Sequence, residues 1–455
     1  MAYYRRHIDN ELMEWKNDPE KKPLLIRGAR QVGKSTAIRE LGKSFKYYVE
    51  VNLEKQPFLA DLFTENIDVK LTCSKLSATL AIPIEAGNTL LFIDEIQVSK
   101  QAIMYLRYFK EEYPELHVVA AGSLLEFTLE ELSSFGVGRI RSLYMYPFSF
   151  DEFLSAQGLQ LQVDFKRKAN PGEPLPLPLH NSLCEQLRTF ILVGGMPAAV
   201  AEWVKRHDYL RCSRIHGDIF NTYMDDFSKY KRRISPNVLR LVVQSVASQV
   251  GSKFVMSKAI PDIHSSIVKE ALRLLSMAGL IIPVRHSDGN GLPLGAEVNP
   301  SFTKYLFIDT GLLMNLQSMP FKDIMLATDV DLVNKGAIAE MLTGLELIKY
   351  SDCFIKSESY YWQQNSRTGN AEVDYLISHE GRVLPIEVKA STKGSMQSLY
   401  LFMRKKHLTD AIRTSLENFS TFKFVDNEDD GATRNIRIIP LYALNTLFIQ
   451  HFAEK

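Results

Sequence analysis

The sequence predicts an α/β protein whose first third is a parallel sheet flanked by helices. A helical segment, a three-helix unit with a hairpin and a small mixed α/β domain follow. Three observations lead there. Between residues 23 and 150 short apolar runs alternate with helix-compatible stretches, the pattern of parallel strands buried on both faces. A glycine-containing loop, Gly28 to Ser35, stands between the first such run and the helix after it. The chain has 455 residues, room for several domains.

Taken in order, PLLIRG is the first strand and a helix starts at Lys34; YYVEVNL, TLLFIDE and HVVAAGS are further strands, with a helix through MYLRYFKEE before the last. This core is assigned residues 1–155. From 156 to 181 the composition turns to Gln, Lys, Gly and Pro and ends in PGEPLPLPLH, which predicts an extended linker. Residues 182–235 read as helical, broken at Gly194 to Pro197. Residues 236–300 give a helix over Asn237 to Gln249, helices in SKAIPDI and SSIVKEALRLLSMAGL, and a hairpin from IIPV and SDGNGLPLG. Three helices and a hairpin make a winged helix-turn-helix. Residues 301–330 connect to a last domain, 331–455, with helix KGAIAEMLTGLELIKY and strand-like YYWQQ, AEVDYLIS, VLPIEVKAS and RIIPLYAL.

Hydrophobic residues make up 45% and charged ones 24%, with a net charge of +1. That is the balance of a folded protein, not of a polycation, so any nucleic-acid contact must come from local basic patches. The four cysteines are scattered and form no C-x-x-C pair, which argues against a zinc site or disulfide framework and for reduced thiols. The N-terminus lacks the apolar core of a signal peptide. The most apolar stretch, Phe190 to Val204, is interrupted by Gly194, Gly195 and Pro197 and is too short to span a bilayer. These features predict a cytoplasmic protein with no membrane partner.

The loop Gly28-Ala29-Arg30-Gln31-Val32-Gly33-Lys34-Ser35, followed by Thr36, matches G-x-x-x-x-G-K-S/T in full. Its glycines let backbone N–H groups turn inward around phosphates. Lys34 neutralises the β and γ charges, Ser35 offers a hydroxyl to Mg²⁺, and the helix presents its positive end. A chance match in a chain of this length is on the order of 10⁻². In Thr89-Leu-Leu-Phe-Ile-Asp94-Glu95 an apolar strand ends in two acids; Asp94 would hold Mg²⁺ and Glu95 polarise the attacking water. Ser123 ends HVVAAGS, where it would either sense the γ-phosphate or cap the next helix. Arg139, favoured over Arg141 in GVGRIRS, is the candidate for stabilising transition-state charge.

RGARQVGKS, LLFIDEIQ, AAGS, Gly138-Arg139 and YPFSFDEF (Tyr146 to Phe153) resemble bacterial and archaeal AAA-type P-loop ATPases. In these a C-terminal domain of unknown function, related to PD-(D/E)xK nucleases, follows the ATPase. VGGMP at 193 to 197, KYLFIDTGLL at 304 to 313, and EVDYLI with PIEVKAS agree with that family over nearly the whole chain. The resemblance implies ATP and Mg²⁺ as ligands, and homo-oligomers with the ATP site near a subunit boundary that Arg139 would cross.

Asp374 lies in EVDYLI, and Glu387 and Lys389 in PIEVKAS. Residues i and i+2 of a strand share a face, so Glu387 and Lys389 would line one pocket and a neighbouring strand would bring Asp374. Two carboxylates can bind Mg²⁺ while the lysine orients a water for attack on a phosphodiester. Glu340, on KGAIAEML, matches the acid such nucleases often carry on their first helix. In the winged helix, SSIVKEALRLL would be the groove-reading helix and Lys229 to Arg233 a phosphate contact, although winged helices also bind proteins. The expectation is an ATPase whose nucleotide state controls a DNA-handling C-terminal half, with metal-dependent nuclease chemistry. The alternative is an ATP-driven switch on a protein partner with a silent nuclease-like domain.

Overall fold

The computed structural model describes residues 3–132, 138–227, 234–260, 263–317, 335–364, 371–390 and 395–448. They form two compact units: Met1–Phe148 with Met277–Leu280 and Asp352–Lys356, and the remainder of the chain.

In the first unit α1 (Ile8–Asn17) precedes β1 (Leu24–Arg27), α2 (Lys34–Gly42), β2 (Tyr47–Asn52), α3 (Val69–Leu80), β3 (Thr89–Asp94), α4 (Lys100–Glu112), β4 (His117–Ala121), α5 (Leu125–Glu130) and β5 (Arg141–Tyr144). The sheet order is β2-β3-β4-β1-β5, and every pairing is parallel. Leu24 to Ile26, Leu90 to Ile93 and Val118 to Ala121 are fully buried, as continuous apolar strands covered on both faces must be. Asp68 and Ser99 cap α3 and α4 with side-chain oxygens, satisfying otherwise unpaired backbone N–H groups. Because the strands run the same way, the residues following β1, β3 and β4 emerge at one edge of the sheet. The short β5 was not anticipated.

The second unit opens with α6 (Phe150–Ala156), α7 (Gln160–Lys168), α8 (Leu177–Val193), α9 (Pro197–Arg206), α10 (Tyr209–Phe227), α11 (Pro236–Ser248) and α12 (Ser265–Met277). β6 (Ile281–Ser287), β7 (Val298–Phe307), α13 (Thr310–Leu316), α14 (Lys335–Lys349), β8 (Ser359–Gln363), β9 (Glu372–His379), β10 (Arg382–Val388), α15 (Gln397–Lys405), β11 (Asp410–Ser415), β12 (Ser420–Asp426) and β13 (Ala432–Pro440) complete it.

Residues 156–181 are not an extended linker. They hold α7 and the start of α8, in which Pro176 and Pro178 sit at the N-terminal end, where proline's missing N–H costs nothing. α7 is anchored by Lys166, fully buried and ion-paired with Asp151, with further bonds to the Tyr442 carbonyl (2.7 Å) and Asn445 Oδ1 (3.1 Å). SKAIPDI yields a single 3-10 turn, Met256–Lys258, with residues 261–262 outside the described ones. The basic run Lys229 to Arg233 also lies outside them.

The hairpin expected from IIPV and SDGNGLPLG has its first strand in β6, but the strand pairing antiparallel with it is β7, beyond SDGNGLPLG and past residue 300. However, β6 also pairs in parallel with β8, so both strands belong to one eight-stranded sheet, β12-β13-β11-β10-β9-β8-β6-β7. The boundaries drawn at 300 and 330 therefore do not separate structural units. An unpaired β6 edge would leave backbone N–H and C=O groups unsatisfied, and β8 meets them. The signatures VGGMP and KYLFIDTGLL also meet: the Asp309 carboxylate accepts from Gly195 N (2.5 Å) and from Leu312 N (3.1 Å), capping α13. A Cβ on Gly194 would fall 2.1 Å from Asp309 Oδ1.

Candidate functional site

β1 delivers the chain into the Gly28–Ser35 loop with Gly28 (φ 141), Gln31 (φ 61) and Gly33 (φ 97) at positive φ. A Cβ on Gly28 would lie 2.1 Å from the Met145 carbonyl oxygen, so glycine is needed for close approach as well as conformation. Lys34, the first residue of α2, is buried and donates to the carbonyls of Gly28 (2.8 Å) and Ala29 (2.7 Å). Burial lowers its ammonium to about 8, against the pull of Glu95 and Asp94. Thr36 lies in the first turn of α2.

Although β4 intervenes between β1 and β3, Ser35 Oγ reaches the two carboxylate oxygens of Asp94 at 3.2 and 3.1 Å. Burial, then the neighbouring Glu95 charge, raises the Asp94 carboxyl. A hydroxyl and a carboxylate converging beside a phosphate-binding loop form an oxygen donor set suited to Mg²⁺. Glu95 sits at φ 51, and its Oε2 accepts from Gln97 Nε2 (2.6 Å) and Ser123 Oγ (3.1 Å). Thus Gly28 to Ser35, Asp94, Glu95 and Ser123 converge at one sheet edge.

Three partners of this site escaped sequence reasoning. Asn52, ending β2, donates to Asp94 Oδ2 (3.2 Å). Gln97 holds Glu95, and a Cβ on Gly122 would fall 2.0 Å from Gln97 Oε1. Arg6 is buried, donates to the carbonyls of Val32 (3.2 Å) and Tyr146 (2.8 Å), and stacks on Phe148. No local pattern marks these side chains, since the topology alone brings them to the loop. Arg139 is placed differently from the others. β5 pairs Arg141 with Leu24, the first residue of β1, so Arg139 lies toward the sheet edge opposite the loop, 3.0 Å from Glu111.

In the second unit β9 and β10 are antiparallel neighbours, which brings Asp374 and Glu387 together: Val388 N donates to Asp374 Oδ2 at 2.7 Å. Lys389 Nζ bonds Glu387 Oε1 at 2.6 Å, the shared face that i, i+2 spacing predicts. Burial and then Asp374 push the Glu387 carboxyl up to about 8, and burial pushes Glu340 up to about 7. Carboxylate oxygens of Glu340, Glu372 and Asp374 lie within 4.8 Å of one another. Glu372 is the acid that sequence reasoning missed, although it stands two residues before Asp374 and so shares its face. Lys304 was also missed. It is buried and ion-paired with both Glu340 (2.7 Å) and Glu372. An all-oxygen set of this kind suits a hard divalent ion, but an ammonium already sits in it.

Residues 20–154 match the family model described as an AAA domain. Two further models, each described as a domain of unknown function, match residues 184–323 and 335–444. No curated protein matches the chain. Among solved structures, the Aeropyrum pernix ORC1 protein in complex with DNA is 14% identical, covering 70% of this chain and 94% of that one with a TM-score of 0.28. A Thermotoga maritima RuvB variant is 16% identical, covering 60% and 87%, TM-score 0.28. The S. cerevisiae Hsp104–ADP complex is 14% identical, covering 60% and 38%, TM-score 0.26. Likenesses this loose transfer no function from one chain to another. Among the described residues no helix is long and apolar enough to cross a membrane. The family model, the parallel sheet and the phosphate loop agree that residues 20–154 form an AAA-type P-loop ATPase domain.

Proposed function

We propose that this chain is an ATP-hydrolysing switch whose nucleotide state controls a nucleic-acid-handling C-terminal half. The observation that carries the reading is the convergence of Lys34, Ser35, Asp94, Glu95 and Ser123 at one sheet edge. Ser35 and Asp94 are the residues to hold Mg²⁺, which when bound would neutralise phosphate charge. The Lys34 ammonium would exchange its carbonyl partners for phosphate oxygens. Glu95, released from Gln97 and Ser123, would polarise the attacking water, and Ser123 would turn to the γ-phosphate. Arg139, which pairs with Glu111 in its own chain, is the residue we assign to the neighbouring subunit's nucleotide in a homo-oligomer.

For the C-terminal half the reading is metal-dependent attack on DNA, with Asp374, Glu387 and Glu340 as ligands and Lys389 orienting the water. The adjacency of Asp374, Glu387 and Lys389 supports it. α12 would read the DNA groove, with Val268, Leu272 and Leu275 on its buried face. A second reading, a switch acting on a protein partner with a silent acid cluster, is favoured by Lys304, which already pairs Glu340 and Glu372. The test is divalent-metal-dependent cleavage of single-stranded, duplex and branched DNA and of RNA, with and without ATP, for wild type and Glu387→Ala. Cleavage lost in the variant supports the first reading; intact ATPase activity without cleavage supports the second.

A further inference from the structure

Three carboxylates whose oxygens lie within 4.8 Å of one another, Glu340 on α14 and Glu372 and Asp374 on β9, cannot all be ionised without a cation between them. Lys389 acts on Asp374 through its charge, but its ammonium is bonded to Glu387. Lys304 bonds the cluster itself. It comes from β7, is 1% exposed, reaches Glu340 Oε1 at 2.7 Å and Glu372 Oε1, and lies 4.8 Å from the centre of the Tyr361 ring. An ammonium has three donors and no acceptor, and two of the three are committed to this cluster.

We propose that Lys304 is the resident cation of the cluster. It occupies the position a divalent ion would need, so the unit folds with an ammonium there and free of metal, and divalent binding requires that Lys304 first be removed. A divalent ion held by these carboxylates would share oxygens with an ammonium already bonded to them, and the two positive centres would repel at close range. Expelling Lys304 into the core is equally disfavoured, because a buried ammonium without a partner loses its solvation. One end of KYLFIDTGLL thus pairs with acids of β9 and α14, while Asp309 accepts from Gly195 N. The inference rests on reading the carboxylates as the unit's cation site, and it is independent of ATP hydrolysis.

The experiment is Mn²⁺ binding, by electron paramagnetic resonance of the free ion, to the full chain without nucleotide. An Asp94→Ala background keeps the phosphate loop from contributing. With Lys304 in place, the expected result is no Mn²⁺ bound by the cluster. Lys304→Gln should gain one site per chain that Asp374→Asn removes, and Mn²⁺ at about a hundredfold excess over its dissociation constant should raise the unfolding midpoint by roughly 3–5 °C. A parent chain that already binds an Asp374-dependent Mn²⁺ would overturn the proposal, as would a folded Lys304→Gln that binds none. If Lys304→Gln does not fold, the double variant Lys304→Gln/Glu340→Gln, which removes one charge of each sign, should fold without metal; failure there also overturns it. The proposal goes with the silent-cluster reading and against metal-dependent cleavage, so divalent-dependent cleavage by the wild-type chain that Asp374→Asn abolishes would also overturn it.

Discussion

Replacing Lys34 by methionine should leave the empty protein's stability nearly unchanged while severely weakening nucleotide binding. Burial lowers the Lys34 ammonium from 10.5 to about 8, so holding it charged in the empty loop costs about 3 kcal/mol at neutral pH. Against that stand its bonds to the Gly28 and Ala29 carbonyls, which at roughly 1.5 kcal/mol each for a charged donor restore about the same amount. The two contributions nearly cancel, and Lys34→Met should melt within about 4 °C of wild type. With ATP, two charge-assisted bonds to phosphate are lost, about 3–6 kcal/mol, which weakens binding by roughly 10²–10⁴-fold. Because the native lysine binds its proton less tightly than the unfolded one, wild-type stability should rise with pH between about 8 and 10.5, and the variant should lose that rise. Thermal unfolding across this range and calorimetric titration with ATP are the assays. Wild-type ATP affinity in Lys34→Met, or a collapse of its melting temperature without nucleotide, would refute the reasoning.

Glu95→Gln should keep ATP affinity within a few-fold and lose hydrolysis by about 10²–10⁴, measured as phosphate release. Gly28→Ala drives a Cβ to 2.1 Å from the Met145 carbonyl oxygen at φ 141, so the loop must shift, and both ATP affinity and unfolding midpoint should fall. Lys166→Met takes from buried Asp151 its buried ammonium partner, while Arg167 and Asn445 still bond it; denaturant titration should show a loss of about 3–5 kcal/mol, largely recovered by adding Asp151→Asn. Burial pushes the Cys73 and Cys212 thiols up to about 12, so at pH 8 both should resist iodoacetamide in the native chain and react after unfolding, read by mass spectrometry.

The nucleotide core was legible because its strands are short continuous apolar runs and its loop has fixed spacing, both local properties. Glu387 and Lys389 were legible for the same reason, since a period of two is local. Glu372 needed the same rule carried one step back from Asp374. Lys304 and Asn52 were not legible, because each owes its partner to strands or helices distant in sequence, and no window of residues encodes that pairing. The prolines of 171–178 misled for another reason. Proline marks an extended segment and a helix start equally well, and here Pro176 and Pro178 begin α8. What decides between those uses is tertiary: Lys166 finds Asp151 and Asn445, and the segment packs.

Because β6 pairs with β8, strands on either side of residue 330 belong to one sheet, wherever sequence families place their limits. Severing the chain at 330 should yield two fragments, each presenting a naked strand edge to solvent and each prone to aggregate alone. Supplied together, they carry complementary edges and should reassemble. Gene fusions or fissions at that point would then be tolerated only where both pieces are made in the same cell.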